Sequence, residues 1–196
     1  MEGLEASESQ LILFSETSSE DESGAELDAL VEALAAPVLI VRQPLDTPAR
    51  IFEHVLHNLT GSLKQIRNLA YSFSLVADEG ELTLLHVIAA EELEDVRDTL
   101  LVSSEISRHE GANLIHHLKH HAERYLKGIV ASSRTEPYEV NYHLSIGGVL
   151  SCVEEELRGG DYGLVVVGTH HAGRSHTDAI EYQLMHAIHD TPVLAL

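Results

Sequence analysis

Four histidines raise the first chemical question. His116-His117 and His120-His121 form two i, i+4 pairs. On a helix that spacing puts two imidazoles on one side of the rod, where both can grip one divalent ion. His116, His117, His120 and His121 are therefore the candidate metal ligands. A metal site needs a third or fourth donor, and Glu110 and Glu123 are the nearby carboxylates. Exposed histidine pairs also take up metal adventitiously. The second suggestive stretch is Gly168-Thr169-His170-His171-Ala172-Gly173-Arg174. Glycines after a strand let backbone amides approach phosphate oxygens, and a following helix amino terminus adds a favourable dipole. His170, His171, Arg174 and His176 would add cationic character. No serine elbow, His-Glu-x-x-His, Walker loop or cysteine pair is present. The expectation is a protein that is not an enzyme.

Those groups need elements to position them. Leu11-Ile12-Leu13-Phe14 reads as a strand and Ala25–Ala35 as a helix with Leu27, Leu30, Val31 and Leu34 on one face. Pro37 introduces a second strand, Val38–Val41. Two prolines mark Gln43–Arg50 as a linker. Phe52–Leu59 then reads as a strand, Ser62–Val76 as a helix, Asp78-Glu79-Gly80 as a turn and Leu82–Ile88 as a buried strand. Glu105–Ala131 is a long helix with Ile115, Leu118, Ala122, Tyr125, Leu126 and Ile129 as its apolar stripe. His116 and His120 lie opposite that stripe; His117 and His121 lie nearer its edge. Val140, Tyr142 and Leu144 alternate as a strand does. A short helix runs between Gly147-Gly148 and Gly159-Gly160. Leu164–Val167 is short, β-branched and uninterrupted, which suits a strand buried on both faces of a parallel sheet. A helix at Asp178–His189 and a last strand within Thr191–Leu196 finish the chain. Alternating strands and helices predict a three-layer α/β/α open sheet, mainly parallel, with an extra amino-terminal strand-helix-strand. The last unit repeats the first in plan: Leu164–Val167 answers Leu11–Phe14, and Thr191–Leu196 answers Ala36–Val41.

Composition narrows the partners. A formal charge of -20 over 196 residues repels phosphate backbones and anionic headgroups. Neither nucleic acid nor membrane insertion is expected; no apolar run approaches the roughly 20 residues a span requires. The acidic amino terminus has no signal-peptide pattern. The single cysteine, Cys152, fits a reducing compartment and falls at a helix packing position, so the expected location is cytoplasmic. His54, His57, His86 and His143 fall in strand patterns and are expected to be hydrogen-bonded core histidines. With 14 histidines, mild acid would sharply reduce the net negative charge.

The order and lengths of these elements resemble a universal stress protein domain. Phe52-Glu53-His54-Val55-Leu56 is similar to that family's opening strand, Thr60-Gly61-Ser62 to its Asp-Gly-Ser turn and Glu81–Ile88 to its second strand. Asp161–Thr169 is similar to its Asp-Leu-Ile-Val-x-Gly-Thr segment, and Thr191–Leu196 to its Pro-Val-Leu-Val ending. The resemblance implies a complete domain at 52–196 with a five-stranded core of order 3-2-1-4-5. It also implies a remnant of a preceding tandem copy at 9–42, between the acidic flexible tail at 1–8 and the proline-marked linker at 43–51 that composition itself suggests. Family dimers and tandem pairs join through their fifth strands. A homodimer, or intramolecular pairing, is thus expected through Val38–Val41 and Val193–Leu196.

Many members of the family bind ATP, through Gly-x-x-Gly, nine residues and Gly-Ser or Gly-Thr. Transferred here, the site would comprise Thr60, Gly61, Ser62, Val87, Gly168, Thr169, His170, Gly173, Arg174, Asp178 and Ala179. The pattern departs where it grips phosphate. The second glycine comes only at Gly173, Asp178-Ala179 stands where Gly-Ser or Gly-Thr should, and Thr60 replaces the acidic residue of the opening turn. The implied function is stress-response regulation through an unidentified protein partner, with a degenerate ATP site and no cofactor. The alternatives are a nucleotide (ATP/AMP) sensor with an altered loop, a soluble regulatory domain of a transporter assembly, and a metal-binding module.

Overall fold

The computed structural model describes residues 11–15, 27–31, 36–59, 66–90, 93, 108–168 and 180–196. Its strands are β1 (Ile12–Ser15), β2 (Val38–Val41), β3 (His54–Asn58), β4 (Glu81–Ala89), β5 (Glu139–Gly147), β6 (Leu164–Val167) and β7 (Val193–Ala195). They form one sheet in the order β1-β2-β7-β6-β3-β4-β5. Every pairing is parallel except β2 with β7. Counted from β3, the last five strands lie in the order 3-2-1-4-5. The helices are α1 (Ile66–Leu75), α2 (Arg108–Ser132), α3 (Val149–Gly159) and α4 (Ile180–Ala187), with a further helical stretch at 27–31.

Both faces of the sheet are covered. On one face Leu56, Leu85, Val165 and Val167 pack with Val153 of α3, Leu184 and Met185 of α4, and Leu27 and Val31. On the other, Val55, Leu82, Leu84, Leu164 and Val166 pack with Leu126 of α2, and Leu69 and Phe73 of α1 pack against them. All four residues of β6 are 0% exposed, which explains their uninterrupted apolar sequence. Burying each stabilises by roughly 1.5–3 kcal/mol.

The segment read as a linker is partly ordered. Pro48–Phe52 is a 3-10 helix with proline in its first turn, where a missing N–H does no harm. The following strand therefore starts at His54 rather than Phe52. The apolar stripe of α2 is also only half used. Ala122 and Leu126 are buried, but Ile115 and Leu118 remain 40% and 38% exposed.

A local two-fold relates the two ends of the chain. It passes between Leu39 and Leu194, the middle pair of the β2–β7 ladder. Ile12, Leu13 and Phe14 sit on Val38, Leu39 and Ile40 just as Val165, Val166 and Val167 sit on Val193, Leu194 and Ala195. The Ile12 amide donates to the Pro37 carbonyl at 2.9 Å, and the Val165 amide to the Pro192 carbonyl at 2.9 Å. Across this seam the Arg42 guanidinium donates to the Ile188 carbonyl at 3.0 Å and Gln43 Nε2 to Asp190 Oδ1 at 2.7 Å. His186 Nε2 lies 2.8 Å from Asp28 Oδ1.

Candidate functional site

In an open parallel sheet, ligands collect outside the carboxyl ends of the strands where the strand order reverses. Here that point lies between β3 and β6, whose last register pair is Asn58 with Val167. Gly168 follows directly and is buried. Val87 lies at the same rim, two residues beyond the Leu85 mate of Asn58, but its side chain is 2% exposed and turned into the core. His86 is half-buried there, with Nδ1 3.3 Å from the Leu59 carbonyl.

His57, one residue before the rim, is 1% exposed. Its register mates are Leu84 and Val166, both apolar core. Among the described residues its Nδ1 has no hydrogen-bond partner. Burial pulls its pKa from the usual 6.5 to about 3, so it is neutral at physiological pH.

Two clefts lie at the opposite, amino-terminal end of the strands. One, of about 360 Å³, is lined by His54, Glu79, Glu81, Glu136, Tyr138 and Glu139, with Gly80 and Pro137. The other, of about 280 Å³, runs from Leu45–Ile51 to Asp161–Gly163 and Asp190. Their carboxylates disfavour anionic ligands. Among the described residues no group of three or more histidine, cysteine or acidic side chains is placed to hold a metal ion.

No family model matches the chain, and no curated protein does. Solved structures do. A universal stress protein from Archaeoglobus fulgidus aligns at TM-score 0.63 and 16% identity, over 94% of this chain and 59% of that one. The hypothetical protein MJ0577 aligns at TM-score 0.57 and 15% identity, over 74% of this chain and 96% of that one. The functionally unknown protein PA1789 from Pseudomonas aeruginosa aligns at 0.51 and 12%, over 95% and 62%. The chain has a universal stress protein-like fold.

Within that stress-protein fold, most positions of the expected nucleotide site, namely Thr60, Gly61, Ser62, Thr169, His170, Gly173, Arg174, Asp178 and Ala179, lie outside the described residues. So do His171 and His176. Gly168, just after β6, and Val87, on β4, are brought to one rim, on either side of β3. The four candidate metal ligands on α2 are all exposed, His117 and His121 included. The ring centroids of His116 and His120 are 6.3 Å apart. Across the stress-protein sheet, the expectation of hydrogen-bonded core histidines needs correction. Of the four, only His57 is fully buried, and its Nδ1 has no partner among the described residues; His86 is half-buried with Nδ1 3.3 Å from the Leu59 carbonyl. His54 and His143 are exposed, at the start of β3 and on the outer strand β5.

Sequence patterns missed one polar network. Glu156 Oε1 of α3 accepts from the Tyr162 hydroxyl at 2.5 Å and lies 2.8 Å from His143 Nδ1. Burial, then the bond to Glu156, pushes the Tyr162 phenol well above its usual range. The partners come from three elements, so no local spacing announces them. The network ties α3 to β5 and to the lead-in of β6. Tyr162→Phe is expected to lower stability by about 1–2 kcal/mol, read as a shift in the urea midpoint. Cys152 is partly buried and its thiol is pushed up, by burial and then by Glu155, so it is a poor nucleophile.

Proposed function

We propose that this protein is a non-enzymatic regulator of the stress-protein type that works by protein association and whose nucleotide site has lost its grip on phosphate. One observation carries the second half of that statement. The chain leaves the buried end of β6 at Gly168 and meets no further glycine until Gly173, and Asp178 stands where a phosphate-facing small residue would be needed. A carboxylate there repels the charge that the loop would have to hold. Isothermal titration with magnesium and ATP is expected to give no binding in the micromolar range; a micromolar dissociation constant would overturn the proposal.

Association is supported by the architecture. Residues 9–42 read as the tail of a second stress-protein copy, because the local two-fold superposes β1 and β2 on β6 and β7 in register. The edge through which the family's dimers join, the free side of β7, is taken up by β2 within the chain. Any further partner must then use another surface.

A further inference from the structure

We propose that the outer edge of β1 is a docking edge for a second copy of this chain, with the two β1 strands pairing antiparallel across a two-fold axis. The inference starts from what the local symmetry leaves unfinished. β6 is hydrogen-bonded on both sides, by β7 and β3, whereas its mate β1 is bonded only by β2 among the described residues. The exposures follow. Leu164 and Val166 are 0% exposed, but the symmetry-related Leu11 and Leu13 are 47% and 65% exposed. These are the two most exposed large apolar side chains among the described residues. Leu13 lies beside Leu39 on the face that carries the α1 and α2 core, and no helix described here reaches it.

An open strand edge invites another strand unless charge, proline or a bulge prevents it. Leu11-Ile12-Leu13-Phe14-Ser15 has none of these. The sheet's other edge, β5, is guarded: Glu139 and His143 lie on it, and both are exposed. A second copy fits β1 because the chain already makes this kind of joint. β2 and β7 meet antiparallel through three residue pairs, centred on leucine against leucine. Two β1 strands centred on Leu13 would repeat it, with Ile12 opposite Phe14 and the leucines of both copies on one face. Such a contact is isologous and closes at two chains. The net charge of -20 opposes it, so salt should strengthen it.

This gives the association proposed above a surface, yet it fails or survives separately, since calorimetry with ATP reads one and mass the other. Light scattering on fractionated full-length protein, over a range of protein and salt concentrations, is the test. It is joined by Leu13→Lys and by amide exchange at Leu13, whose N–H faces the open edge because that of Ile12 is bonded to the β2 side. The expected result is a dimer that Leu13→Lys converts to monomer, with exchange at Leu13 slowing as concentration rises. Monomer at every concentration would overturn the proposal, as would a dimer indifferent to Leu13→Lys. Protection of the Leu13 amide independent of concentration would overturn it too, because it would place another part of the same chain on the edge. Leu13 is exposed, so the variant should fold; should circular dichroism show otherwise, the exchange experiment on the unaltered protein decides alone.

Discussion

Acidification is expected to destabilise this protein through His57, and replacing His57 with leucine should remove much of that sensitivity. In the folded chain the imidazole accepts a proton only near pH 3; unfolded, it does so near 6.5. Between those values the unfolded state binds more protons, so stability falls as the pH falls. The stabilisation is complete above 6.5 and is lost progressively toward 3. Each unit corresponds to about 1.4 kcal/mol, and the full window to something on the order of 4–5 kcal/mol. A domain holds about 5–15 kcal/mol in total, so this one side chain is enough to set the acid limit. His57→Leu also removes a buried nitrogen that has no partner among the described residues, which should raise stability at neutral pH. Urea midpoints of both proteins across the window are the measurement. Parallel pH profiles would show that protonation of His57 is not what limits the native protein.

Gly163→Ala is expected to destabilise the protein. Gly163 precedes β6, and its amide donates to the His54 carbonyl at 2.8 Å. A Cβ there would lie 2.8 Å from the Ile51 Cα and 2.9 Å from the Arg50 and Ile51 carbonyl oxygens. All three are backbone atoms of the 3-10 helix, so no side chain can swing aside. The helix has to move away from the sheet, and Ile51, which is 7% exposed, moves with it. Overpacking of this kind costs roughly 1–3 kcal/mol. A fall in the thermal midpoint with unchanged far-ultraviolet circular dichroism is expected. By contrast Gly159, whose Cβ would meet nothing within 4 Å, should accept alanine with little change.

The contrast between those glycines shows where sequence reading stops. Gly147-Gly148 and Gly159-Gly160 announce the ends of α3, and the helix does run from Val149 to Gly159. Leu164–Val167 announces a doubly buried strand, because four apolar residues with no polar face leave few other choices. These are local signals. Nothing local distinguishes Gly163, whose role depends on a helix more than a hundred residues earlier, or says that His57 falls between Leu84 and Val166. His143, Glu156 and Tyr162 converge for the same reason. Helical periodicity drew the stripe of α2 but could not tell that Ala122 and Leu126 are buried while Ile115 and Leu118 stay exposed. Of the candidate nucleotide site, the position of the rim was legible, through the strand order. Its loops, at 60–62 and 169–179, lie outside the described residues, so the departures at Thr60, Gly173 and Asp178 are known from sequence alone.

The seam between β2 and β7 also bears on how the chain is made. Val38–Val41 leaves the ribosome before the strand that completes its ladder, Val193–Ala195, and before everything between them. While those intervening residues are made, β2 waits with one side bare, and so does the unit built on β1. Closure joins residue 38 to residue 195, a contact of very long sequence separation, and such contacts form slowly. The nascent chain carries a sticky apolar ribbon for the whole of that interval, and the run of acidic residues around it, Glu16, Glu20, Asp21 and Glu22, is well suited to keep it from snaring its neighbours on the polysome.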